Sequence, residues 1–202
     1  ILENLRNTSF QVGSIITTTG FMTVDFDQWP SLSRYVLLFL MMIGACAGST
    51  GGGMKVSRFL LSVKSALREL NSYLFPKSVK KIKMDGKTVD EEAIRGINVY
   101  FTAYILLVVL SVFLICINGM DIESAFSSVL GTFNNIGPGL GKFGPTCNFG
   151  WVSTFSKYVY IFDMLAGRLE LFPVLILLYP PSWRGLLKRS MKRKKNKRAT
   201  TI

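Results

Sequence analysis

Residues 97–117 (INVYFTAYILLVVLSVFLICI) carry no charged side chain and are dense in branched and aromatic residues. Crossing the hydrocarbon core of a bilayer as a helix takes about 20 mostly apolar residues. The run meets that length, so it predicts a membrane-spanning helix, and the remainder of the chain must be read around it. Composition agrees. Apolar residues make up 49% of the 202 residues and charged residues 18%, with a mean hydropathy of +0.35, whereas soluble chains carry roughly 25% charged residues. Disorder needs low hydrophobicity and does not fit. Histidine is absent, which excludes an imidazole base or a His-ligated metal. The three cysteines, Cys46, Cys116 and Cys147, lie far apart without metal-ligand spacing and read as small hydrophobes.

The net charge of +12 is unevenly placed. Of the 24 Lys and Arg, 10 fall between Lys55 and Arg95 and 9 between Arg184 and Arg198. Two basic blocks separated by apolar segments match the positive-inside bias of membrane proteins. A nucleic-acid binder should instead interleave its charges with exposed aromatics on a polar domain, so no nucleic-acid partner is expected.

Two more segments have the character of spanning elements. Residues 158–179 are long enough but contain Asp163, Arg168, Glu170 and Pro173. Residues 35–47 are too short alone and run into Gly48-Ser49-Thr50-Gly51-Gly52-Gly53. They reach spanning length only if the chain continues past the glycines to Leu60-Leu61. Three spanning elements are therefore expected, one of them broken in the middle. Residues 7–16 and 122–133 are apolar but too short to cross, a length compatible with re-entrant helices.

Each short segment is followed by a Gly-containing turn, Thr17-Thr18-Thr19-Gly20-Phe21 and Asn134-Asn135-Ile136-Gly137-Pro138-Gly139, and then by a spanning segment. This is an internal repeat, with Gly20 and Gly137 separated by 117 positions. The second copy has an additional helix ahead of it. The first starts at Ile1-Leu2-Glu3 without an initiator Met, which suggests a fragment whose own leading helix has been removed. Between the copies, residues 80–92 are polar and contain Asp85-Gly86, a dipeptide favoured in two-residue hairpin turns. Ile82, Met84 and Val89 alternate around it, so a small β-hairpin on the cytoplasmic surface is expected. Topology follows from the basic blocks. The broken helix ends inside, 97–117 runs out, 122–133 re-enters and returns, and 158–179 leads back to a cytoplasmic tail touching membrane lipid headgroups.

A dehydrated cation needs oxygen ligands in place of its water, and rings of backbone carbonyls supply them for potassium. Glycine allows the backbone conformations such a strand requires. Thr18-Thr19-Gly20-Phe21 has the order of residue types of a Thr-Val-Gly-Tyr filter core, while Asn135-Ile136-Gly137-Pro138 fits only at its glycine and the apolar residue before it. The alternative is a pair of ordinary helix-linking turns, since Thr-Gly and Gly-Pro are common punctuation. Asp25, Asp27, Asp121 and Glu123 fall on the outer face. There they either raise the local cation concentration or serve as ordinary polar loop residues. A membrane-embedded enzyme would need convergent reactive groups, and the spanning segments offer only Asp163, Arg168 and Glu170.

Taken together, Thr17–Phe21 (TTTGF), 44–55 (GACAGSTGGGMK), 134–139 (NNIGPG) and 167–172 (GRLELF) resemble, in order, the motifs of the TrkH/KtrB superfamily of potassium-uptake subunits. The likeness extends to Trp183-Arg184. It implies an all-α membrane fold of potassium-channel-like helix–pore-loop–helix repeats, about one and a half of four. Residues 1–79 would end repeat three, 80–92 form the hairpin linker, 93–183 make repeat four and 184–202 the basic tail. It implies K⁺, in some members Na⁺, as the transported ion, held by carbonyls of Thr18, Thr19, Gly20, Asn135, Ile136 and Gly137. It also implies that Gly48, Ser49, Thr50, Gly51, Gly52 and Gly53 form an intramembrane gate, with Arg168 as cation barrier or gating partner. A Gly-rich crossing for close helix packing remains the alternative for 48–53, and snorkelling the alternative for Arg168. The resemblance further implies a homodimer and a cytosolic nucleotide-binding partner of the TrkA/KtrA type.

Overall fold

A computed structural model describes residues 2–49, 51–76, 81–169, 171–179 and 181. The chain is built from helices α1 (Leu2–Ile16), α2 (Ser31–Ile43), α3 (Val56–Leu74), α4 (Glu91–Cys116), α5 (Ile122–Phe133), α6 (Thr154–Arg168) and α7 (Leu171–Leu178). Two-residue strands β1 (Lys83–Met84) and β2 (Lys87–Thr88) separate α3 from α4. Thr50, Glu170 and the basic block from Arg184 onward lie outside the described residues.

The uncharged run forms the C-terminal part of α4, which begins earlier, at Glu91, with Asp90 at its N-cap and Glu91 and Glu92 in its first turn. Acidic residues there complement the helix dipole. Among the described residues α4 is the helix long and apolar enough to cross a membrane, and only 28% of its apolar window is buried within the molecule. Leu106, Val109, Leu110 and Phe113 are all exposed. A core helix of a soluble protein would bury them.

α5 is the opposite case. From Ser124 to Phe133 all but one residue is buried, and its core contacts come from α4 and α6 through Tyr104, Val108, Val159 and Tyr160. Asp121 caps it by accepting from the Ser124 amide at 3.0 Å, satisfying one of the orphan donors of the first turn. Ser153 caps α6 in the same way through the Ser156 amide at 3.3 Å.

The hairpin forms where Asp85-Gly86 predicts it. Both residues have positive φ, 50° and 79°, as a type I′ turn demands, and Lys83 pairs with Thr88 and Met84 with Lys87. Ile82, Met84 and Val89 pack with Leu61, Ile94 and Ile97 in the elbow between α3 and α4. The Lys64 ammonium donates to the Lys83 carbonyl at 2.9 Å.

One expectation is corrected. Residues 158–179 do not form one helix, because α6 stops at Arg168 and α7 starts at Leu171. Pro173 is the cause: it has no N–H for the carbonyl of Leu169, and its ring clashes with that same carbonyl. Arg168 therefore closes a helix, where its charge favours the C-terminal dipole, instead of sitting mid-span. The expected break between α2 and α3 falls at residues 44–55, entered through Gly44 at φ 75°, ψ −160°, a conformation open essentially to glycine alone.

Candidate functional site

The repeat read from sequence extends to conformation. α1 ends at Ile16 and α5 at Phe133, and adding 117 to each position of the first turn gives its counterpart in the second. Thr18 and Asn135 share a left-handed φ, 55° and 56°; Gly20 and Gly137 do likewise, at 77° and 106°. The Thr18 amide donates to the Ile15 carbonyl, and the Asn135 amide to Thr132. The amides of Thr19 and Gly20 both turn back to the Ser14 carbonyl; those of Ile136 and Gly137 both turn back to Gly131. The N–H groups of both turns are thus committed to their own helix ends. Among the described residues no hydrogen bond is donated to the carbonyl oxygens of Thr18, Thr19, Asn135 or Ile136.

The two turns meet. A Cβ placed on Gly20 would collide with the Ile136 carbonyl oxygen and lie 3.3 Å from Pro138 Cδ. Ile15, Phe26, Leu37, Met41, Ile136 and Leu140 form a shared buried cluster behind them. Two of the four acids expected on the outer face, Asp27 and Glu123, tie the copies together. Arg34 reaches Asp27 at 3.3 Å and Glu123 at 3.4 Å, and Asp27 also accepts from the Gly141 amide at 3.2 Å. Asp25 caps a short 3₁₀ turn through the Asp27 amide, and Asp121 lies 3.6 Å from Lys142.

The glycines between α2 and α3 divide into two groups. A Cβ on Gly51 would fall 2.7 Å from the Thr18 hydroxyl oxygen, and one on Gly52 would fall 2.7 Å from the Asn134 carbonyl oxygen and 3.0 Å from Asn135 Nδ2. One on Gly53 would run into Asn134 Oδ1. Gly51 therefore faces the first turn, and Gly52 and Gly53 face the second. Gly48 and Ser49 face neither: Gly48 has open space around it, and Ser49 closes an exposed turn onto the Cys46 carbonyl at 2.8 Å.

α6 arrives at the same place. A Cβ on Gly167 would collide with the Phe133 carbonyl oxygen, and Asn135 Nδ2 donates to the Met164 carbonyl at 3.2 Å. Arg168 is exposed beside that contact. A cavity of about 520 Å³ opens next to the second turn, lined in part by Thr132, Asn135, Ile136, Gly137, Tyr160 and Met164.

Four residues have contacts here to which the sequence assigned no role. Asn134 is fully buried; its Oδ1 accepts from the Tyr104 hydroxyl at 3.1 Å. Tyr100 donates to the Gly53 carbonyl at 3.4 Å. Gly167 is the crossing point of α5 and α6. The available signal was the pair Tyr100 and Tyr104, two phenols one turn apart on an otherwise apolar helix.

Two equivalent helix–turn–helix units are thus brought together at paired glycine turns and met from a third side by a Gly-rich loop between α2 and α3. Residues 3–183 match the TrkH family, described as a cation transport protein, and the chain belongs to that family. It is 46% identical over 176 residues to the Trk system potassium uptake protein TrkH of Vibrio parahaemolyticus, covering 87% of this chain and 36% of that protein. To TrkH of Escherichia coli K12 it is 41% identical over 183 residues, covering 91% and 38%. The crystal structure of the potassium transporter TrkH from V. parahaemolyticus superimposes with a TM-score of 0.78 at 45% identity, over 86% of this chain and 37% of that one. The chain thus spans a little over a third of the relatives it matches.

Proposed function

We propose that this chain supplies two quadrants of a membrane pore through which K⁺ is taken up, by dehydration and carbonyl coordination instead of covalent chemistry. The observation that carries the reading is the alternation of φ sign in both turns, positive at Thr18 and Gly20 and again at Asn135 and Gly137. In a regular strand successive carbonyls point to opposite sides. Alternating the sign of φ turns them to one side, and the N–H groups are already directed back to the helix ends. Oxygens of Thr18, Thr19, Asn135 and Ile136 would then replace water around the ion. α1 and α5 would point their negative C-terminal dipoles at it.

The contacts of Gly51–Gly53 with Thr18 and Asn134 support their role as the obstruction on the inner side of the turns. Gly48, Ser49 and Thr50 would complete the loop, with Arg168 a cation barrier at its edge. Four helix–pore-loop–helix repeats would enclose the axis, the 520 Å³ cavity beside Gly137 accepting a neighbouring quadrant. Domain bounds of 1–79, 80–92, 93–183 and 184–202 follow from this arrangement. The protein would be multi-pass in the cell membrane with its C-terminus in the cytoplasm. There its basic inner face would meet lipid headgroups and a TrkA-type nucleotide-binding partner, and the full-length subunit would pair as a homodimer.

The test is ⁸⁶Rb⁺ flux through the full-length transporter that carries this segment, with and without Gly20→Ser and Gly137→Ser. Loss of flux or of K⁺ preference over Na⁺ is expected. Unchanged flux and selectivity in both variants would reject the filter assignment.

A further inference from the structure

We propose that Tyr100 and Tyr104 of α4 form a latch that holds Gly51–Gly53 closed against Asn134, and that Arg58 is the lever through which α3 releases it. The inference rests on the reading of residues 51–53 as the obstruction beneath the paired turns, and names the groups that hold it in place.

The two tyrosines are four positions apart and so share one face of α4. Their hydroxyls reach the two sides of a single contact. Tyr100 donates to the Gly53 carbonyl at 3.4 Å. Tyr104 donates to Asn134 Oδ1 at 3.1 Å, the atom that a Cβ on Gly53 would strike. Loop and turn are thereby both anchored to α4. The site is dry: Tyr104 is 1% exposed, Tyr100 5%, and Met54 and Asn134 fully buried. Hydrogen bonds in such surroundings are directional and costly to break.

Both rings are braced independently of their hydroxyls. Tyr104 meets Phe133 edge-on at 5.1 Å, and Tyr100 meets Phe172 of α7 at 5.8 Å. Packing alone would be served equally by phenylalanine. The hydroxyls add the bonds to loop and turn, so they act by positioning.

Arg58 connects the latch to the inner side. Its guanidinium lies 4.2 Å from the Tyr100 ring centroid, within cation–π range. It belongs to the first turn of α3, which starts at Val56, directly after the loop. A displacement of α3 therefore moves the loop's end and the cation on Tyr100 together. This gives the loop a two-state hold that something acting on α3 can bias.

Tyr100→Phe, Tyr104→Phe and Arg58→Lys are introduced separately into the full-length transporter and reconstituted in liposomes. ⁸⁶Rb⁺ uptake is measured per transporter, without any activating partner, together with the K⁺/Na⁺ permeability ratio. Each Tyr→Phe variant keeps the ring packing: Tyr104→Phe is expected to raise basal uptake roughly fivefold, the population shift for one lost buried hydrogen bond, and Tyr100→Phe, whose bond is longer, by a smaller factor, with the ratio unchanged in both. Arg58→Lys keeps the charge but loses the planar stack, and should raise uptake by a smaller factor. Uptake equal to or below that of the unsubstituted protein in all three overturns the latch. So does an altered ratio at unaltered uptake, which would assign the tyrosines to support of the turns. If the unsubstituted protein carries no ⁸⁶Rb⁺, the failure belongs to the transport reading itself.

Discussion

Gly20 and Ile136 approach so closely that one methyl group on the Gly20 Cα would enter the Ile136 carbonyl oxygen. The contact joins the two copies of the repeat at neighbouring places, since Ile136 is the counterpart of Thr19, the residue before Gly20. Gly137, the counterpart of Gly20, has open space where its Cβ would be. The two glycines are equivalent in backbone conformation but not in surroundings.

That asymmetry gives a differential expectation. Gly137→Ala should incur only the strain of a left-handed φ, about 1–3 kcal/mol. Gly20→Ala adds a backbone collision that no side-chain rotation relieves. ⁸⁶Rb⁺ uptake by the full-length transporter should therefore fall further for Gly20→Ala. Equal losses would show that the contact between the turns does not matter for transport.

Gly52→Ala should push the loop away from the Asn134 carbonyl, 2.7 Å from the added atom, and raise basal uptake. Gly48→Asn is the control, because Gly48 has room and asparagine tolerates its positive φ of 82°. A rise in both, or in neither, would detach the effect from the contact with Asn134.

Two glycines inside helices should respond in opposite directions. Gly167→Ala collides with the Phe133 carbonyl and should separate α5 from α6, seen as a lower melting temperature in detergent. Gly96→Ala lies within α4 with nothing within 4 Å, and should stabilise by about 1 kcal/mol through helix propensity. Thermal unfolding of the two variants side by side checks both signs.

Ser111 donates to the fully buried Asp163 at 2.7 Å. Ser111→Ala alone removes the donor and should destabilise by about 1–3 kcal/mol, whereas Ser111→Ala with Asp163→Leu replaces both partners by apolar groups and should recover much of that loss. A double variant less stable than the single one would indicate that the aspartate has a second partner of importance.

Asp121 supplies the pH dependence. Hydrogen bonding from Ser124, chiefly its backbone amide, holds the Asp121 carboxyl below the ordinary carboxylate value. The folded chain then binds that proton less readily than the unfolded chain. The contribution is complete above the unfolded value, about pH 4, and is lost as pH falls through the lowered folded value. Asp121→Asn keeps a capping side chain but cannot titrate, so its melting temperature should decline less steeply on acidification. Parallel pH profiles for the two proteins would count against this role.

Much of the architecture was legible from local pattern. A charge-free run must be a helix in a bilayer, because no other element satisfies its backbone internally, and α4 follows. Asp85-Gly86 sets its own hairpin through positive φ. Pro173 cuts α6 from α7 by a clash within four residues, a rule that local sequence carries. The repeat, too, was visible as spacing, since each copy builds its turn from bonds to its own helix end.

What the tertiary structure alone decided is how these pieces meet. Nothing local tells Gly51–Gly53 apart from Gly48, since all are glycines in one loop. Only the positions of Thr18 and Asn134 make three of them contacts and leave Gly48 in open space. Tyr100 and Tyr104 read as part of an apolar helix until the fold sets Gly53 and Asn134 opposite their hydroxyls. Arg168 read as mid-span until the helix ended there. Backbone conformation is governed by neighbours along the chain, and so was readable from it. Contacts between segments far apart depend on packing several helices at once, and no short stretch of sequence encodes that.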